Sequence, residues 1–122
     1  MVRQWRNALD RYTLEIPAGG LNGADEPPML AAARELEEET GYRSDKLEWL
    51  ITLRTTVAFC DERIEIFTAH DLIPTNQNLD EDEYIDVKAY TLDELKKKIF
   101  SGEIEDSKTI AAIMAYAVKY NR

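Results

Sequence analysis

Four glutamates crowd into R-E-L-E-E-E-T at residues 34–40. If residues 28–40 are helical, Glu35, Glu38 and Glu39 fall at i, i+3 and i+4 and stack three carboxylates on one face. Like charges so placed repel by roughly a few tenths of a kcal/mol per pair, and Glu37 adds to the crowding. A divalent cation held between those oxygens reverses the sign of the interaction. Carboxylate oxygens with no His or Cys nearby suit a hard ion, Mg²⁺ or Mn²⁺, rather than zinc. A charge run is more often a solvated helix face. On the charge run alone, the bland reading and the chemical one both stay open.

Such a helix must be held by a sheet and entered from a defined loop. Residues 2–6 and 12–16 read as strands joined by a polar turn, and Pro17-Ala18-Gly19-Gly20 breaks regularity ahead of the helix. Pro27 and Pro28 are tolerated in a first helical turn, with Asp25 or Glu26 expected as cap, and Gly41 suits a left-handed stop. Met29, Ala32, Ala33 and Leu36 form the expected apolar stripe, placing the carboxylates on a different side. Residues 47–56, 63–69 and 84–90 read as further strands, with a polar loop over 74–82. Thr91-Leu92-Asp93-Glu94 is a capping box for a helix closed by Gly102, and a last helix spans 107–120.

A chain of 122 residues with 44% hydrophobic content is expected to form one domain. The net charge of −9 argues against binding a nucleic-acid backbone, and it requires that cations mask any site for an anionic substrate. One cysteine, Cys60, excludes an intrachain disulfide and fits a reducing compartment. No apolar run approaches the roughly 20 residues of a membrane span, and no signal-peptide core follows Met1. The expectation is a cytoplasmic protein. His70, Cys60 and Lys96-Lys97-Lys98 read as ordinary surface or filler residues; Trp5 and Trp49 read as core or interface residues, with base stacking open for Trp5.

Gly20, Glu26, Arg34, Glu35, Leu36, Glu38, Glu39, Gly41 and Tyr42 fill every fixed position of a pattern that resembles the Nudix box of diphosphate hydrolases. Seven of those positions demand one residue type, so a chance match is on the order of one in 10⁹ or rarer. Three further segments resemble the ADP-ribose pyrophosphatase-like branch of that family. They are Val2-Arg3-Gln4-Trp5-Arg6, Leu14-Glu15-Ile16-Pro17-Ala18-Gly19, and Gly102-Glu103-Ile104 with Asp106-Ser107-Lys108-Thr109.

The resemblance implies an α/β Nudix fold, with a mixed β-sheet sandwiched between the box helix and the C-terminal helices, as a single domain over residues 1–122. It implies Mg²⁺-dependent (or Mn²⁺-dependent) cleavage of a nucleoside diphosphate derivative, ADP-ribose first. Glu35, Glu39 and Glu38 would bind the cation. Arg34, one turn before Glu38, would orient that carboxylate, with Glu26 in the same supporting layer. The Ala18 carbonyl and Glu83 would join the metal shell, Glu81 would act as general base, and Arg6 and Glu62 would contact substrate. It further implies a homodimer.

Two departures keep other substrates open. Thr56-Val57-Ala58-Phe59 stands where the branch usually has S-P-G, and the branch's additional N-terminal sheet region has no counterpart in these residues. GDP-mannose or another nucleotide sugar, and a non-catalytic nucleotide-binding module, are the alternatives.

Overall fold

A computed structural model describes all residues 1–122. In chain order the elements are β1 (Val2–Arg6), β2 (Arg11–Glu15), α1 (Pro28–Thr40), β3 (Tyr42–Arg43), β4 (Lys46–Arg54), β5 (Arg63–His70), β6 (Ile73–Pro74), β7 (Ile85–Val87), α2 (Leu92–Phe100) and α3 (Ser107–Lys119).

β1 and β2 form a hairpin whose register runs from Val2↔Glu15 to Arg6↔Arg11, and β1 pairs on its other edge with β7. β2 ends one residue before the expected limit because the Ile16 N–H donates to Thr109 Oγ1 at 3.1 Å and Pro17 has no N–H to continue a ladder. β4 stops at Arg54 rather than at residue 56: the Thr56 carbonyl turns to accept the Cys60 N–H at 2.9 Å and the Phe59 N–H at 3.3 Å. β7 is also shorter than the expected strand, although the Lys88 N–H still reaches the Met1 carbonyl at 3.1 Å.

All ladders are antiparallel and fall into three groups, β2-β1-β7, β3-β6 and β4-β5. Pro17 and Pro74 remove donors where strands would otherwise extend, and a bulge between Trp49 and Ile51 bends the longest ribbon. The layering nonetheless follows the expected plan. β4 touches both α1 and α3, so the β4–β5 ribbon lies between the box helix and the C-terminal helix. One small core joins Leu14, Ile104 and Ile113, and a second joins Leu50, Ile66 and Ala112, so α3 contributes to both.

α1 matches its expected limits, and Gly41 closes it at φ 72° with its N–H on the Glu37 carbonyl. Two details differ. Pro27 occupies the N-cap and no side chain caps the helix, because Glu26 is engaged elsewhere. The buried positions are Ala31 and Glu39 while Met29 is 43% exposed, so the inward side of the helix includes a carboxylate and not the whole predicted stripe. No helix is long and apolar enough to cross a membrane.

Candidate active site

The loop after β2 runs against the inward side of α1. The Ala18 N–H donates to Glu39 Oε2 at 3.2 Å, and Glu39 is only 6% exposed. Burial pushes its carboxyl up to about 7; the Ala18 N–H opposes the rise, while the charges of Glu35 and Glu83 add to it. Burial also raises Glu35, against the opposing contact from Arg34, and Glu38 and Glu83 push the same way. Glu35, Glu39 and Glu83 therefore share one electrostatic environment. Gly19 meets the Glu35 carboxylate so closely that a Cβ there would overlap it.

Arg34 organises the outer side of this group. Its guanidinium donates to Glu35 Oε1 at 2.9 Å, Glu26 Oε1 at 3.0 Å, the Gly20 carbonyl at 3.1 Å and Glu38 Oε2 at 3.5 Å. Glu26 also accepts the Asn22 N–H at 2.7 Å, and these contacts hold its carboxyl below the usual range. Arg34 thus ties the box glutamates to the entry loop.

The far edge is a strap over the last turn of α1. The Thr75 N–H donates to the Gly41 carbonyl at 2.6 Å and the Asn78 N–H to the Glu38 carbonyl at 2.8 Å. Gln77 Nε2 donates to the Glu39 carbonyl at 2.7 Å. Carbonyls that a helix end leaves unpaired are thereby satisfied, and the acidic loop that follows is fixed beside the box. In that loop Glu83 closes its own turn, accepting the Asp80 N–H at 3.0 Å. Glu81 is exposed and makes no hydrogen bond or ion pair with the other site residues.

A cleft of 1310 Å³ opens over this arrangement, and Arg6, Ala18, Gly19, Glu35, Glu62 and Lys108 are among its lining residues. Arg6 does not extend freely into it: Nε and Nη2 grip Glu15 Oε2 and Oε1, both at 2.8 Å. Lys108 Nζ meets the same Glu15 Oε1 at 2.7 Å and Asp106 Oδ2 at 2.9 Å. Burial alone would raise Glu15, but Arg6, Lys108 and Thr13 outweigh it and hold the carboxyl at about 2. Arg6 and Lys108 are positive charges on the wall of a cleft in an otherwise acidic protein.

No three Asp, Glu, His or Cys side chains converge tightly enough to hold an ion in this arrangement, in which Arg34 bonds Glu35 and Glu38 and the Ala18 N–H bonds Glu39. The donor chemistry still suits a hard divalent cation: all the donors are oxygens, and two of the carboxyls resist ionisation among like charges. The sequence reading missed Glu15, Lys108, Asp106, Gly19 and Gln77. Four of them lie in the L-E-I-P-A-G and D-S-K-T segments, which were visible as motifs without their mutual contacts.

The chain matches the family described as NUDIX domain over residues 1–113. It is 44% identical over 115 residues to a methanol dehydrogenase activator of Bacillus methanolicus, covering 93% of this chain and 62% of the relative. It is 42% identical over 122 residues to an ADP-ribose pyrophosphatase of Bacillus subtilis (strain 168), covering 98% and 63%. The chain therefore spans less than two thirds of the length of these curated relatives. A solved structure described as the crystal structure of ADP compounds hydrolase shares the fold with a TM-score of 0.86 at 20% identity, covering 98% of this chain and 64% of that one. By the box, by the fold and by these matches, the chain belongs to the Nudix family.

Proposed function

We propose that this chain acts as one Nudix hydrolase domain that cleaves the pyrophosphate linkage of a nucleoside diphosphate derivative, with ADP-ribose as first substrate and AMP and ribose 5-phosphate as products. The observation that carries the reading is the shared environment of Glu35, Glu39 and Glu83 beside a cleft walled by Arg6. The similarity to an ADP-ribose pyrophosphatase supports the substrate.

Glu35, Glu39 and Glu83, with Glu38 and the Ala18 carbonyl, would hold Mg²⁺ or Mn²⁺. Bound there, the cation would neutralise phosphoryl charge and lower the pKa of a coordinated water. Arg34 and Glu26 keep the box carboxylates aimed. Arg6, with two of its five N–H donors on Glu15, has donors left for a phosphate oxygen. Glu81 takes the proton of the attacking water on its carboxylate, and Glu62, which lines the same cleft, contacts the substrate.

Incubating the protein with Mg²⁺ and a panel of ADP-ribose, GDP-mannose, other nucleotide sugars and nucleoside triphosphates tests this. Cleavage of triphosphates alone would overturn the substrate assignment. Preference for another nucleotide sugar is the second reading, favoured by the loop carrying Val57 and Phe59, which are 82% and 86% exposed. A non-catalytic module is the third, favoured by the relative named as an activator, and turnover of any panel member excludes it. We place the protein in the cytoplasm as a homodimer, a state supported by exposed Trp5, Leu9 and Tyr12 on one hairpin and contradicted by a monomeric mass with full activity.

A further inference from the structure

Four side chains from two distant parts of the chain form a line of alternating charge: Asp106, Lys108, Glu15 and Arg6. Side-chain exposure along it is 24%, 13%, 3% and 45%, so Arg6 is the most open end. Glu15 sits at the centre with its acceptors filled. Oε1 receives Arg6 Nη2 and Lys108 Nζ, while Oε2 receives Arg6 Nε and Thr13 Oγ1 at 2.5 Å. The register places Glu15 opposite Val2, four residues before Arg6, so the Arg6 side chain must fold back along the hairpin to reach it. A long, exposed arginine left alone would sample many rotamers and lose that freedom on binding. Here its fork is fixed in advance by a carboxylate that Lys108 in turn holds.

We infer that Lys108 is a positioning residue for Arg6, acting through Glu15, and that it thereby sets the affinity of the cleft for the diphosphate of the substrate. This deepens the proposed reading of the cleft and rests on it for the substrate class. Lys108 does not cap α3, since Asp106 does that by accepting the Thr109 N–H at 3.2 Å. Its ammonium therefore has no structural duty in the helix, and its contacts are Asp106 and Glu15. Removing the charge leaves Glu15 Oε1 with Arg6 alone, so the carboxylate can turn and the arginine fork with it.

The test is a double-mutant cycle with a spectroscopic arm. In Lys108→Met, KM for the best substrate of the panel should rise about fivefold to tenfold with kcat within about twofold, as for lost binding shared by ground and transition states. Lys108→Arg should restore KM. In an Arg6→Ala background, Lys108→Met should change KM by less than about twofold, because its route to the ligand is gone. An equal effect in both backgrounds, or an unmoved KM, overturns the inference. The Nε–Hε resonance of Arg6 in the protein without nucleotide should shift and broaden in Lys108→Met, and an unchanged resonance also overturns it. Lys108→Gln serves for every arm should the methionine variant not fold. If the wild type cleaves no nucleoside diphosphate, the proposed activity falls, while the Arg6 resonance still decides whether Lys108 positions it.

Discussion

Gly19 and Glu35 are in mutual contact in the lining of the cleft, and the space a Cβ on residue 19 would need is occupied by the Glu35 carboxylate. That carboxylate is the far end of a flexible side chain, so the fold can absorb a methyl group at small cost by swinging Glu35 aside. The ligand geometry cannot absorb it. Gly19→Ala should leave the melting temperature within a few degrees of the wild type, while affinity for Mn²⁺ or Mg²⁺ falls by about tenfold or more. Titration calorimetry with MnCl₂ reads this directly. Unchanged metal affinity would mean that Glu35 is not placed by the glycine.

Glu39 makes the complementary case, in which function should fall without stability. Its carboxyl is buried among like charges, and the Ala18 N–H and the more distant charge of Arg6 do not offset the cost of ionising it. In Glu39→Gln the amide oxygen can keep the Ala18 hydrogen bond, and the repulsion from Glu35 and Glu83 disappears. Turnover should drop by about two orders of magnitude or more, as expected when a metal ligand loses its charge. Melting in EDTA should be no lower than wild type. A variant that loses many degrees there would show that the carboxylate serves the fold.

The limits of α1 were legible because two special residues mark them, Pro28 at the start and Gly41 in the left-handed conformation at the end. The same holds for α2, where Thr91 and Glu94 form the reciprocal capping box. Which side of α1 faces inward was not legible. Periodicity assumes that apolar residues turn inward, whereas Ala31, Glu35 and Glu39 share a helical face and Ala31 and Glu39 are the buried pair. Local rules fail in this way at sites built for a ligand. β3 and β6, at two residues each, are too short to carry any period. Glu15 and Lys108 stand 93 positions apart, so each motif could be seen while the ion pair joining them could not.

Arg34 separates charge from shape. It bonds three carboxylates and the Gly20 carbonyl at once, which only a planar, many-donor fork can do. Arg34→Lys keeps the charge but can serve about two of those partners. It should therefore lower kcat/KM by about 10- to 100-fold through misaimed glutamates, the usual size for loss of a group that orients metal ligands. Raising the Mg²⁺ concentration should recover part of the loss. Steady-state kinetics across a range of Mg²⁺ concentrations checks this, and a variant with wild-type kcat/KM at limiting Mg²⁺ would rule out the orienting role.

Acid should find the protein's weak point at Glu15. Its carboxyl titrates at about 2 instead of the ordinary 4.5, because hydrogen bonds from Arg6, Lys108 and Thr13 outweigh the cost of burial. A folded pKa below the unfolded one means that the native state is favoured when the group is charged. The contribution is complete above pH 4.5, declines as pH falls toward 2 and vanishes below it. A gap of this size, at a side chain only 3% exposed, corresponds to about 3 kcal/mol. Urea unfolding at pH 7 and pH 3 should show roughly half or more of this loss in the wild type, the remainder lying below pH 3. Glu15→Gln should start lower at pH 7, because Arg6 and Lys108 are left beside a neutral amide, and should lose less between the two pH values. Equal losses in the two proteins would place the acid-sensitive group elsewhere.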